Sequence, residues 1–163
     1  MTVRLSTLAG ALGALALSTT LALAGPGEAG HSHKAFAAGE PGDPSKPVVR
    51  TIEVTMKETE DAKMLFEPNK VEIKRGEQVK FVLKNHGSVD HEFMLDSLQN
   101  NAKHKVAMQQ NPDMEHDDPN GKRLSPKGAN EIVWRFTKPG TFEFACLIPG
   151  HYESGMHGTV VVK

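Results

Sequence analysis

The segment Cys146-Leu-Ile-Pro-Gly-His151-Tyr-Glu-Ser-Gly-Met156 sets a thiol, an imidazole and a thioether at C-x4-H-x4-M spacing. Singly, each has an ordinary reading: a buried Cys is a small hydrophobe, a loop His is solvated, and a Met fills gaps. On one short loop they form a donor set, because Pro149-Gly150 turns the chain back and lets His151 and Met156 converge on the Cys146 sulfur. A thiolate, imidazoles and a weak thioether are the ligands of a blue-copper electron-transfer centre, with two His and one Cys equatorial and Met axial. The second His must then come from elsewhere. His91 is preferred, because it opens an apolar strand and shares the parity of Phe93 and Leu95, so it faces the core. His86 is the rival, but it sits in an Asn85-His86-Gly87 turn and is expected to be exposed. Zinc is the competing metal, since Cys/His2 with an open position also suits catalytic zinc. A water-activating zinc site calls for a general acid or base beside it, and a soft Met in the remaining position suits copper better.

The elements that must position these residues show as period-two alternation from Val48 onward. Ile52, Val54 and Met56 alternate with polar residues, as do Val71 and Ile73, Val79 to Leu83, Ile132 to Phe136, and Phe142 to Cys146, with Thr159 to Lys163 as a closing strand. Turns at Arg75-Gly76-Glu77 and Lys138-Pro139-Gly140 separate them. Short half-buried strands bounded by Gly/Pro turns predict an all-β, Greek-key β-sandwich. A short helix is predicted between Asp96 and about Gln110, on Leu98, Ala102, Val106 and Met108, followed by a long polar loop over 111–130.

The N-terminus reads differently. One charge, Arg4, precedes an apolar run from Leu5 to Leu23 that ends in Ala22-Leu23-Ala24, an A-x-A cleavage pattern. Residues 1–24 are therefore expected to be a secretory signal peptide of bacterial type, the alternative being an uncleaved membrane anchor. Residues 25–47, rich in Gly, Pro, Ala and Ser, are expected to be a flexible leader, and 48–163 the folded domain.

Over roughly 48–163 the sequence resembles the cupredoxins, the type 1 copper proteins. The matching features are Asn85 followed by His91-Glu92-Phe93, then Cys146, Pro149-Gly150-His151, Gly155-Met156 and Gly158. The C-x4-H-x4-M spacing is closer to auracyanin and rusticyanin than to plastocyanin. The long His/Met-bearing insertion, the signal sequence and the His-bearing leader also resemble the small CopI-type cupredoxins linked to bacterial copper tolerance. The resemblance implies one copper per chain held by His91, Cys146, His151 and Met156. It also implies that Asn85 stiffens the ligand loops by hydrogen bonding near the Cys sulfur, against the ordinary reading of a turn Asn.

Composition narrows the function. Of 163 residues, 19 are Lys or Arg and 20 Asp or Glu, a net charge of -1 that gives no basic excess for nucleic acid. The single Cys excludes an intramolecular disulfide and any four-cysteine metal site, whereas eight His and seven Met supply nitrogen and soft sulfur donors. A multicopper oxidase or nitrite reductase needs further His-rich copper sites and more than one such domain, so no enzyme activity is expected. Two readings remain: a periplasmic electron carrier, and a copper-sequestering tolerance protein in which His31, His33, His104, Met108, Met114 or His116 hold a second, weaker copper. The carrier is expected to dock a redox partner protein beside His151, over Leu147, Ile148, Pro149 and Gly155. A monomer is expected, without stable membrane insertion after signal cleavage.

Overall fold

The computed structural model describes residues 36–112, 114 and 118–163. The signal-peptide expectation over 1–24, and His31, His33 and His116, lie outside the described residues. No helix among the described residues is long and apolar enough to cross a membrane.

Among the described residues, ten strands and one helix follow in the order β1 (Glu40–Pro41), β2 (Arg50–Glu58), β3 (Met64–Glu67), β4 (Lys70–Ile73), β5 (Gln78–Asn85), β6 (His91–Asp96), α1 (Leu98–Gln110), β7 (Gly121–Leu124), β8 (Ala129–Arg135), β9 (Gly140–Ala145) and β10 (His157–Val162). They form two five-stranded sheets, ordered β1-β8-β5-β2-β3 and β4-β10-β9-β6-β7. Pairing is antiparallel except for β2 with β5 and β4 with β10. The architecture is the expected Greek-key β-sandwich with one inserted helix.

The inward residues of both sheets meet in an aromatic layer. Phe66, Phe81, Phe93, Phe136, Phe144 and Trp134 are all but fully buried. Phe93 stacks on Phe144 with centroids 5.2 Å apart, and Phe66 sets its edge against both. Phe93 lies two residues after His91 and Phe144 two before Cys146, so period-two parity carries the register of this layer directly into the site. Gly158 lets β10 lie close: a Cβ there would collide with the Phe144 ring and come within 2.7 Å of the Asn69 carbonyl oxygen.

Three details depart from the sequence expectations. The leader is not flexible throughout. From Phe36 the chain lies on the sandwich, where β1 pairs with Arg135 and Trp134 of β8 and Ala38 is buried. The Phe36 ring meets Trp134 edge-on at 5.0 Å, so two apolar side chains anchor a stretch whose average composition hides them. The 111–130 loop contains β7, which pairs with β6 from His91↔Leu124 to Met94↔Gly121; its Gly-Lys-Arg-Leu sequence has no alternation to announce a strand. Helix α1 forms where expected but docks on another face. Asn101 and Met108 are buried, whereas Leu98 and Val106 are 62% and 52% exposed.

Removing the ring that supports Cys146 should be costly. Phe144→Ala is expected to destabilise the metal-free protein by about 3–5 kcal/mol in denaturant unfolding, through lost burial and an unfilled cavity.

Candidate metal centre

Strand β9 runs between β6 and β10 in one sheet. His91 is the first residue of β6, Cys146 follows the last residue of β9, and His151 and Met156 lie on the connection from β9 to β10. Sheet register therefore brings these segments to one end of the sandwich: Met94 pairs with Ala145, and Ala145 with His157.

The connection is closed on itself by hydrogen bonds. The Cys146 amide donates to the Met156 carbonyl (3.0 Å), His151 N–H to Ile148 O (3.0 Å), and Met156 N–H to His151 O (3.1 Å). Gly150 and Gly155, with φ of 89° and 100°, take the left-handed conformations that this fold-back requires. An outside brace comes from the insertion. Glu143 accepts from Asn101 of α1 (3.1 Å) and from the Tyr152 hydroxyl (3.0 Å), so the helix is tied to the ligand loop.

The donors converge. Nδ1 of His151 lies 3.3 Å from Cys146 Sγ and 3.3 Å from His91 Nδ1. His91, Cys146 and His151 offer ligand atoms all within 4.8 Å of one another, the only such cluster of His, Cys and acidic residues among those described. Met156 is wholly buried and packs in the same core as Cys146. His86 is exposed and takes part through its backbone alone, its N–H donating to Met56 O and its carbonyl accepting from Lys127. The parity argument for His91 thus agrees with the fold.

Asn85 is fully buried and does stiffen the approach to His91. Its side chain donates to Val89 O (2.8 Å) and Leu124 O (3.0 Å) and accepts from Gly87 N–H (2.8 Å). The hydrogen bond to the sulfur, however, comes from the Glu92 amide, 3.2 Å from Cys146 Sγ. Glu92 is also buried, and its carboxyl accepts from Leu147 N–H at 3.1 Å, so one residue brackets the cysteine from both sides. Sequence reading did not single out the roles of Glu92, Glu58 or Glu143; the adjacency of Glu92 to His91 was the only available signal.

Burial sets the protonation of the donors. It pushes the Cys146 thiol up to about 12, against the Glu92 amide, which favours the thiolate. Burial also lowers the pKa of both imidazoles below the ordinary His value, for His91 against the pull of Glu58. The resting site therefore holds two neutral imidazoles and a thiol. Such a set accepts a soft or borderline metal without giving up imidazole protons, and one sulfur with two nitrogens and a buried thioether nearby fits copper.

The comparisons with known proteins agree with this donor set. Residues 52–163 match the family of copper binding proteins, plastocyanin/azurin family. The chain belongs to that family. It is 41% identical over 160 residues to the copper-resistant cuproprotein CopI of Rubrivivax gelatinosus, covering 91% of this chain and 94% of that one. It is 37% identical over 143 residues to CopI of Pseudomonas aeruginosa, covering 70% and 76%. Among solved structures, auracyanin B superimposes with a TM-score of 0.61 at 23% identity, over 79% of this chain and 98% of that one. A multicopper oxidase superimposes with a TM-score of 0.53 at 14% identity, but over only 38% of its own length. Both likenesses concern the cupredoxin fold alone.

Of the auxiliary ligands expected from sequence, Met108 is fully buried against Met94, Ala145 and Leu147, with Met114 packed on the same cluster. Met108 packs α1 against the sheet, and His104 is half-buried.

Two outcomes follow from this geometry. Loading copper at pH 8 should release close to one proton per metal, because only Cys146 must lose one; titration in buffers of different ionisation enthalpy measures it, and Cys146→Ser should release none. Asn85→Ala should destabilise the metal-free protein by about 3 kcal/mol in denaturant unfolding, since it strands the buried partners of the lost side chain.

Proposed function

We propose that this cupredoxin holds one copper through His91, Cys146, His151 and Met156, serves copper tolerance in the periplasm, and exchanges electrons there with a partner protein. The observation that carries the reading is the convergence of Cys146 Sγ and the two imidazole Nδ1 atoms at one end of the sandwich. Bound copper supplies one-electron chemistry, passing between Cu(II) and Cu(I). Cys146 contributes the thiolate, steadied by the Glu92 amide. His91 binds from the buried side, and Met156 gives the soft donor that keeps Cu(I) acceptable.

His151 is half-buried, and Pro149 and Gly155 beside it are exposed with Ile148 partly so. That edge is the reading's electron port and docking face for a redox partner. Leu147 is fully buried and closes the core instead. The chain is read as a monomeric carrier or store without catalysis of its own: the described residues hold one such donor cluster, and Met156 would take the position that a water-activating site keeps open. Copper tolerance is supported by the names of the CopI relatives, and a periplasmic location by the signal-like run in the sequence.

Spectroscopy of the copper-loaded chain tests the site. Cu(II) should give an intense visible thiolate-to-copper band that is lost in Cys146→Ser. His91→Ala should disrupt it and His86→Ala leave it in place; the reverse would move the ligand to His86. In a deletion strain, Cys146→Ser should fail to restore growth on copper. Full restoration would shift tolerance to the auxiliary His and Met residues.

A further inference from the structure

Glu58, the last residue of β2, reaches the buried side of the centre from the opposite sheet. Its Oε1 lies 2.9 Å from His91 Nε2, the ring nitrogen pointing away from Cys146 and His151. His91 is fully buried, and the Glu58 side chain is 23% exposed. The same carboxylate accepts from the amides of Ser88 (3.0 Å) and Val89 (3.3 Å). Gly87 makes room for it, since a Cβ there would sit 2.5 Å from Oε1. Among the described residues no carboxylate contacts the ring of His151, whose hydrogen-bonding neighbours are Cys146 and His91.

We propose that Glu58 is a positioning residue that fixes His91 as the Nε2–H tautomer, aims its Nδ1 at the metal, and biases bound copper toward Cu(II). This rests on the reading that His91 ligates copper. An imidazole can bind through Nδ1 only if that nitrogen carries no proton, so the ring proton must reside on Nε2. A carboxylate at hydrogen-bond distance holds it there and makes the ring a stronger donor. A negative charge one imidazole away from the metal also favours the more highly charged oxidation state.

A purely structural role, clamping the 87–89 turn, makes a different prediction, and Glu58→Gln separates the two. The amide oxygen of Gln can still accept a hydrogen bond, so the turn can stay closed, but the charge is gone. The measurements are the midpoint potential of the copper-loaded full-length chain and, on the metal-free chain, the His91 tautomer from 15N NMR. Glu58→Gln is expected to keep the visible thiolate band while Cu(II) affinity falls about tenfold relative to Cu(I), which raises the potential by about 59 mV for a one-electron couple. Wild-type metal-free protein should show His91 as the Nε2–H tautomer, and Glu58→Ala a mixture. A Glu58→Gln potential equal to or below wild type, or a wild-type ring protonated at Nδ1, overturns the inference. Absence of the thiolate band from the wild-type protein would instead overturn the reading of the copper site.

Discussion

The sulfur of Cys146 is sealed from water, and the rest of the centre is arranged around that fact. A thiolate in such a place is costly unless a cation or hydrogen-bond donors stand beside it. The protein offers the Glu92 amide, and burial holds the thiol up at about 12, so a metal that binds there must displace its proton. Burial thus favours a metal that binds thiolate strongly enough to displace the thiol proton.

Sealing a sulfur is useful only if the other donors are already in place, and here the sheets do that work. Because β9 lies between β6 and β10, the pairing that builds the sheet also delivers His91 and the Met156 end of the loop to either side of Cys146. The aromatic layer of Phe66, Phe93 and Phe144 resists slippage, since a one-residue shift would turn both His91 and Cys146 outward. Asn85 braces the approach to His91, and Glu143 ties the ligand loop to the inserted helix. The donors thus sit on segments braced by hydrogen bonds from Asn85, Glu92 and Glu143.

Strand parity made much of this legible in the sequence. Alternation around Phe93 and Phe144 was enough to place His91 and Cys146 inside and to separate His91 from His86. The C-x4-H-x4-M spacing carried the remaining donors. What stayed hidden depended on contacts between residues distant in sequence. Glu58 meets His91 across 33 positions, and nothing local distinguishes it from Glu53 on the same strand. The apolar pattern of helix α1 held only for Met108: a polar residue, Asn101, makes the other docking contact through Glu143, while Leu98 and Val106 face solvent. Strand β7 was invisible because its edge position next to β6 asks for backbone pairing and a glycine at Met94, not for alternating side chains. The first residues on the sandwich, Phe36 and Ala38, were masked by their Gly- and Pro-rich surroundings.

On the proposed reading, one set of donors, His91, Cys146, His151 and Met156, serves both oxidation states of copper. X-ray absorption at the copper edge, recorded on the Cu(II) and Cu(I) forms of the same protein, tests it most directly. The account predicts one short copper–sulfur contact and two imidazole nitrogens in both spectra, with only small changes in distance between them. Loss of an imidazole on reduction, or absence of the short sulfur contact from the Cu(II) form, would contradict it.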